Sequence, residues 1–312
     1  MSIHKVGIVG TGNVGVAGAF TLFVSRACSE MVLVDLNAKR ARGEAMDLMH
    51  GQGFVGRIRV TAGGYADLAG CQVVVVTAGV GQKPGETRLD LLNNNARVFR
   101  SIAAELDRHA PEALVVVASN PVDVLTYMLQ ELSTRPNERI IGTGTMLDTS
   151  RFRSLLGEYY DVNPRSVHGY ILAEHGDSEF AAWSTVTIGG MPITEGTVLG
   201  KPFDCAAMER LFAEVRGAAY QIIEAKGYTN WAIGLVLGEL VEIILDDRKS
   251  IQPVSVRLHG EYGLHDVCVS VPARIGRLGV EDIIELPLNA DEQAALEKSA
   301  AVMKESIAQV KL

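Results

Sequence analysis

Val6-Gly7-Ile8-Val9-Gly10-Thr11-Gly12-Asn13-Val14-Gly15 sets a short apolar run directly against a G-x-G-x-x-G. The run has the length of a strand buried on both faces, and helical periodicity follows over about 13 to 26, so the glycines fall at a strand-to-helix turn. Each glycine then has its own use: Gly10 permits the tight turn, Gly12 lets the backbone approach a pyrophosphate, and Gly15 allows close packing of the helix. Free N–H groups at the helix start, around Val14, face the anion. A glycine-rich turn that binds nothing is the competing reading of the motif alone. Asp35 argues against it, because it closes the second apolar run twenty residues after Gly15, where a carboxylate accepts hydrogen bonds from ribose hydroxyls. It would also repel a 2'-phosphate. Leu36 and Asn37 offer no compensating charge, although Arg40 is not far away, and the pattern predicts NAD rather than NADP.

Working outward, strand-length runs recur at Met31–Val34, Val73–Val76, Leu114–Val117 and, more weakly, Ile140-Ile141. Helical stretches over about 38 to 50 and 88 to 108 alternate with them, which predicts right-handed crossovers and a doubly wound parallel sheet of the Rossmann kind. After about residue 146 the pattern changes to helices near 148 to 158, 206 to 226 and 230 to 246, flanking alternating strands at 254 to 258 and 267 to 271. Period two predicts half-buried, antiparallel strands there, hence an α/β first half over 1–145 and an α+β second half over 146–312. A last helix begins near Asn289, with Glu292 placed to complete a capping box and Leu296, Ala300, Met303, Ile307 and Val310 on one stripe.

A chain of 312 residues is long for one core, and 47% hydrophobic with 21% charged residues is an ordinary globular balance. The net charge of −8, with scattered Lys and Arg, argues against a nucleic-acid partner. No apolar run reaches the ~18 residues of a membrane span. Cys28, Cys71, Cys205 and Cys268 lie far apart without metal-ligand spacing, and Met1–Lys5 leads into a strand with no signal-type hydrophobic region; the expectation is a cytoplasmic protein without a metal.

Four segments are highly specific together: Gly79-Val80-Gly81-Gln82-Lys83-Pro84-Gly85-Glu86-Thr87-Arg88-Leu89, Ser119-Asn120-Pro121-Val122-Asp123, Leu147-Asp148-Thr149-Ser150-Arg151-Phe152-Arg153, and Glu174-His175-Gly176-Asp177. Across essentially its whole length the chain resembles the L-lactate and malate dehydrogenases. The resemblance implies a catalytic second half, and the chemistry follows from residue types. Hydride transfer between a nicotinamide and a carbonyl leaves an alkoxide that must gain a proton, and histidine is the side chain whose pKa suits that task. His175 matches the family acid-base residue and Asp148 the carboxylate that holds its tautomer. Arg151, at i+3 from Asp148, matches the arginine that grips the substrate carboxylate; a plain intrahelical ion pair is the alternative. Arg88 matches the loop arginine that polarises the carbonyl. Asn120 is expected near carbonyl and nicotinamide, Gly79 near the cofactor, and Thr229 at the substrate.

Gln82 decides the substrate. Malate-selective relatives carry arginine at the matching position, and a second carboxylate left unpaired in a closed site costs several kcal/mol, so a neutral Gln82 predicts pyruvate and L-lactate before oxaloacetate. Arg153, about 200° around the helix from Arg151, and His168 match positions that bind fructose 1,6-bisphosphate at a subunit interface in allosteric bacterial lactate dehydrogenases. An unrelated surface Arg and His is the alternative. Gly81 and Ala173 are less usual in the family. With no arm before the first strand, the expected homotetramer uses other surfaces. A malate dehydrogenase and a catalytically inactive NAD-binding protein remain the rival functions, and the intact set of His175, Asp148, Arg151 and Arg88 speaks against the latter.

Overall fold

The computed structural model describes residues 4–81, 85 and 88–310, with Arg88 described in its backbone only. Six parallel strands form the first half: β1 (Lys5–Val9), β2 (Glu30–Val34), β3 (Arg59–Gly63), β4 (Val73–Val76), β5 (Leu114–Val117) and β6 (Ile140–Gly142). Their spatial order is β3-β2-β1-β4-β5-β6, the doubly wound order in which ligands bind beyond the carboxyl ends of the strands, where the winding reverses between β1 and β4. Helices α1 (Asn13–Ser25), α2 (Ala38–His50), the single turn α3 (Gln52–Val55), α4 (Arg88–His109) and α5 (Val122–Leu132) make the connections. All four valines of β4 are buried, as are Leu114 to Val117 in β5, which is why these strands read as unbroken apolar runs. β3 carries no such run: in Arg-Val-Thr-Ala-Gly only Val60 is fully buried, as suits the edge of the sheet.

The second half contains α6 (Met146–Tyr160), α7 (Cys205–Lys226), α8 (Trp231–Leu245) and α9 (Ala290–Ala308), with three long strands, β7 (Ser250–His259), β8 (His265–Gly276) and β9 (Gly279–Ile283). Here the structure corrects the sequence reading in one respect. The alternating strands are antiparallel but not half-buried. Val254 to Val256 are all buried, and so is every residue from Val267 to Ala273, including the polar Ser255, Ser270 and Cys268. The cause is that β7 pairs with β6 through Ser255 and Gly142, so the hairpin extends the first sheet to nine strands instead of forming a separate exposed one. Helices α5, α9, α8 and α6 pack against it. The small polar residues of the alternation serve contacts inside the layer: the Ser270 hydroxyl accepts from the Thr145 N–H at 3.1 Å.

The last helix starts with a reciprocal capping box between Asn289 and Glu292, and Leu296, Ala300 and Met303 are buried beneath it. The Ser299 hydroxyl on this helix accepts from the Glu174 N–H at 3.1 Å and meets the Ser178 hydroxyl at 2.7 Å. The C-terminal helix thus holds both flanks of the segment that carries His175. A bridge between Ala173 and Ser270 ties the same segment to β8, and Ala173 takes φ 77° there, a conformation that glycine reaches without strain.

Candidate active site

The nucleotide end is built where β1 stops. Gly10 has φ 102°, and a Cβ on it would stand 2.6 Å from the Ala78 nitrogen after β4. A Cβ on Gly15 would lie 1.9 Å from the Gly10 carbonyl oxygen, so only glycine lets α1 rise this close to the strand end. The Thr77 hydroxyl donates to that carbonyl at 2.7 Å. Gly12 differs, since a Cβ there meets nothing within 4 Å, which leaves open space beside the first turn of α1. Val14 packs partly into the core below.

Asp35, at the end of β2, accepts from the Thr11 N–H at 2.6 Å and hydroxyl at 2.8 Å through Oδ2, and from the Asn37 N–H at 2.8 Å through Oδ1. Burial opposes its ionisation, but these bonds and the charge of Arg40 hold the carboxyl below its usual range. A carboxylate has about four acceptor positions, so capacity remains for ribose hydroxyls. Arg40 is engaged with Glu44 at 3.8 Å. Gly79 follows β4, and Asn95 pins the next residue by accepting from the Val80 N–H at 2.9 Å. The open cradle at Gly12, the free helix start and an ionised Asp35 fit a dinucleotide.

The second cluster joins α5, α6 and the segment after the short strand Ile171–Leu172. Asp148, in the first turn of α6, is 3% exposed. Its Oδ2 lies 2.6 Å from His175 Nδ1, and its Oδ1 accepts from Arg151 Nη1 at 2.8 Å. Burial works against a charge on Asp148, yet His175 and Arg151 overturn it and hold the carboxyl below its ordinary range. An ionised carboxylate has no proton to donate, so Nδ1 carries the hydrogen and Nε2 is left for whatever enters the site. Burial also pulls His175 down, but Asp148, Asp123 and Glu179 outweigh it and raise the imidazole to about 9. The ring remains a quarter exposed. The arrangement can therefore present a proton to an incoming oxygen and take one back.

The two residues on α6 that bracket this cluster face different ways. Arg151 reaches Asp148, whereas Arg153 donates from Nε to the Gly169 carbonyl at 3.0 Å and lies over the Tyr170 ring. His168 is exposed on the short strand that precedes Gly169. Asn120 stands exposed at the cis Asn120–Pro121 peptide, and Thr229 is half-buried beyond the left-handed cap at Gly227. Neither is joined to His175 or Asp148 by a hydrogen bond among the described residues. Gln82 lies outside the described residues. Arg88 opens α4 with its backbone, and its side chain lies outside the described set.

Two carboxyls that the sequence reading left without a role belong to the same cluster. Asp123 Oδ2 accepts from the His175 N–H at 2.8 Å, so α5 fixes the backbone of the histidine. Burial pushes Asp123 up to about 6, although Ser255, the His175 N–H and the imidazole favour its charge. Glu179 is 5% exposed, and one polar atom of each of Asp148, His175 and Glu179 falls within 4.8 Å of the others. Spacing could not have found either. Asp123 lies 52 positions before His175, and Glu179 is four residues after it in a stretch with no helix to put both on one face.

Three comparisons bear on this geometry. Residues 4–142 match the family model described as lactate/malate dehydrogenase, NAD binding domain, and residues 145–312 match the alpha/beta C-terminal domain of the same family. The chain is 54% identical over 304 residues to the L-lactate dehydrogenase of Salinibacter ruber, covering 97% of this chain and 96% of that one. It is 46% identical over 304 residues to L-lactate dehydrogenase 1 of Clostridium acetobutylicum, covering 97% of each. The crystal structure of the minor L-lactate dehydrogenase from Enterococcus mundtii in a ligand-bound form superposes with a TM-score of 0.97 at 42% identity, over the whole of both chains. With both domain models matched along nearly its whole length, the chain belongs to the lactate/malate dehydrogenase family, and its first half is that family's NAD-binding domain.

Proposed function

We propose that this protein is an NAD-dependent L-lactate dehydrogenase that interconverts pyruvate and L-lactate. The observation that carries the reading is the buried Asp148, one oxygen on His175 Nδ1 and the other on Arg151. The curated relatives named above, all called L-lactate dehydrogenases, support it. Gly10, Gly12, Val14, Gly15, Asp35, Gly79 and Asn120 would hold the cofactor, with Arg40 beside the ribose end. When bound, NAD supplies the acceptor or donor of hydride.

The remaining work falls to the chain. His175 gives a proton from Nε2 to the substrate oxygen in the reducing direction and takes it back in the other. Asp148 holds the tautomer and the imidazolium. Arg151 grips the substrate carboxylate, and because its other engagement is the oxygen of Asp148, carboxylate and proton donor are positioned by one buried group. Arg88 polarises the carbonyl, Asn120 and Thr229 line the substrate, and Gln82 admits a methyl group where a carboxylate would be left unpaired.

Further readings belong to the same proposal. Fructose 1,6-bisphosphate binds at Arg153 and His168 and acts on the site through α6, the helix that also carries Asp148 and Arg151. The protein assembles as a homotetramer, which would cover exposed apolar side chains on α1 and α8 such as Phe20, Val24, Trp231 and Leu235. Four unpaired cysteines suit the reducing cytoplasm.

The test follows NADH absorbance with pyruvate and then with oxaloacetate. Oxidation with pyruvate, and faster than with oxaloacetate, is expected. No oxidation with either refutes the enzyme, and preference for oxaloacetate refutes the role of Gln82. A pyruvate saturation curve that fructose 1,6-bisphosphate leaves unchanged near neutral pH removes Arg153 and His168 from regulation.

A further inference from the structure

Glu179 has the surroundings of a group held for its ionisable proton. Its side chain is buried, its N–H donates to the Gly176 carbonyl at 3.2 Å, and its Oε1 is buried with no hydrogen-bond partner among the described residues. A buried carboxyl oxygen without a donor is costly and rare away from functional sites. Among the described residues, the charged and titratable groups facing this cluster come from four directions: Asp148 and Arg151 on α6, Arg216 on α7, Asp123 on α5, and His175 on the same segment. Both oxygens of Asp148 are already engaged by Arg151 and His175. Asp148, His175 and Glu179 each place a polar atom within 4.8 Å of the others, beside the positive charge of Arg151.

We propose that Glu179 is a third, electrostatic member of the His175–Asp148 pair, a positioning residue that sets the upper end of the pH range over which His175 carries its transferable proton. Burial and the nearby charge of Asp148 keep Glu179 protonated through neutrality and push it up to about 8, whereas His175 loses its proton at about 9. Across the alkaline range the Glu179 carboxyl releases its proton to solvent. The new negative charge, facing the imidazolium in a poorly solvated site, then retains the proton on His175 over a further interval. The acid is thereby kept charged in the range where an exposed histidine has already lost its proton.

The inference rests on the reading of His175 as proton donor, and the experiment separates the two. Glu179→Gln keeps the shape and removes the ionisation. Two quantities are read against pH: kcat/KM for pyruvate, and the NMR titration of the His175 ring in the enzyme without substrate. Both the alkaline limb and the His175 titration are expected to move down by about one pH unit, while NADH affinity is unchanged. Glu179→Asp, which restores the acid on a shorter stem, is expected to recover part of the shift. A limb and a ring titration within about 0.2 units of the parent overturn the proposal, as does a kcat/KM lowered equally at every pH, the signature of a packing role. Should Glu179→Gln not fold, the parent ring titration decides: a second inflection below the main one supports the coupling, and a single inflection overturns it. If pyruvate is not turned over at all, the dehydrogenase reading fails, and the ring titration still settles Glu179.

Discussion

Replacing Asp148 by Asn tests the site at its centre. The side chain keeps its volume and loses its charge, so the fold should survive while two dependencies are cut together. The first is the protonation of His175. With Asp148 in place the imidazole sits at about 9, and burial opposes that charge throughout. Without it, burial is opposed only by Asp123 and Glu179 and the ring falls toward its ordinary 6.5, so at pH 7 the protonated fraction falls from nearly all toward about a quarter. The second is hydrogen bonding. Asp148 accepts from His175 Nδ1 at 2.6 Å and from Arg151 at 2.8 Å, whereas an amide has one acceptor oxygen and can serve only one of them. Losing a charge-assisted bond costs about 1.5 to 3 kcal/mol. Together the two losses amount to about 10² to 10³-fold in kcat/KM for pyruvate at pH 7.

The assay is the initial rate of NADH oxidation against pyruvate concentration from pH 5 to 10, with NADH binding followed by fluorescence as the control. The alkaline limb should move down by up to about 2.5 units, and KM should rise as Arg151 loses its anchor, with NADH affinity unchanged. A limb that stays near pH 9, or a kcat/KM within about threefold of the parent, refutes the assignment of Asp148 as the group that charges His175.

Two glycine substitutions should separate folding from nucleotide binding. Gly15→Ala drives a Cβ to 1.9 Å from the Gly10 carbonyl oxygen and should destabilise by about 2 kcal/mol or more in thermal unfolding, whereas Gly12→Ala, which meets nothing within 4 Å, should leave stability within about 0.5 kcal/mol and lower NADH affinity at least about tenfold. Ala173→Gly relieves a left-handed alanine at φ 77° and should raise stability by about 0.5 to 1 kcal/mol, read in the same experiment; an unchanged or lower midpoint argues that the strain is absorbed elsewhere. His175, Asp123 and Glu179 each bind a proton more tightly in the fold than in the free chain, so above the acid range in which the lowered Asp35 and Asp148 titrate the folded state carries more protons and its stability falls as pH rises. For His175, raised from 6.5 to about 9, the contribution is full below pH 6.5 and lost by about 9, on the order of 3 kcal/mol. The apoprotein melting temperature should therefore decline over that interval, and a rise contradicts the sign.

How much of this was legible in the chain depends on what each interaction spans. The parallel strands announce themselves because β4 and β5 are buried on both faces, and the glycine turn because its constraints act over six consecutive residues. β3 was silent because an edge strand needs little apolar surface. The hairpin β7–β8 was read with the right period and the wrong burial, since period two reports only that polar and apolar residues alternate. Whether small polar side chains such as Ser255 and Ser270 face water or the inside of a layer depends on which strand lies next door, and here it is β6, more than a hundred residues earlier. The same limit applies at the active site. His175, Asp148 and Arg151 could be named from motifs, but the state of the imidazole is set jointly with Asp123 from another helix and with Glu179 on an irregular segment. A motif identifies the proton donor. The pH at which it holds a proton belongs to the cluster, because burial alone would have discharged His175, and Asp148, with Asp123 and Glu179 adding to its field, reverses that outcome.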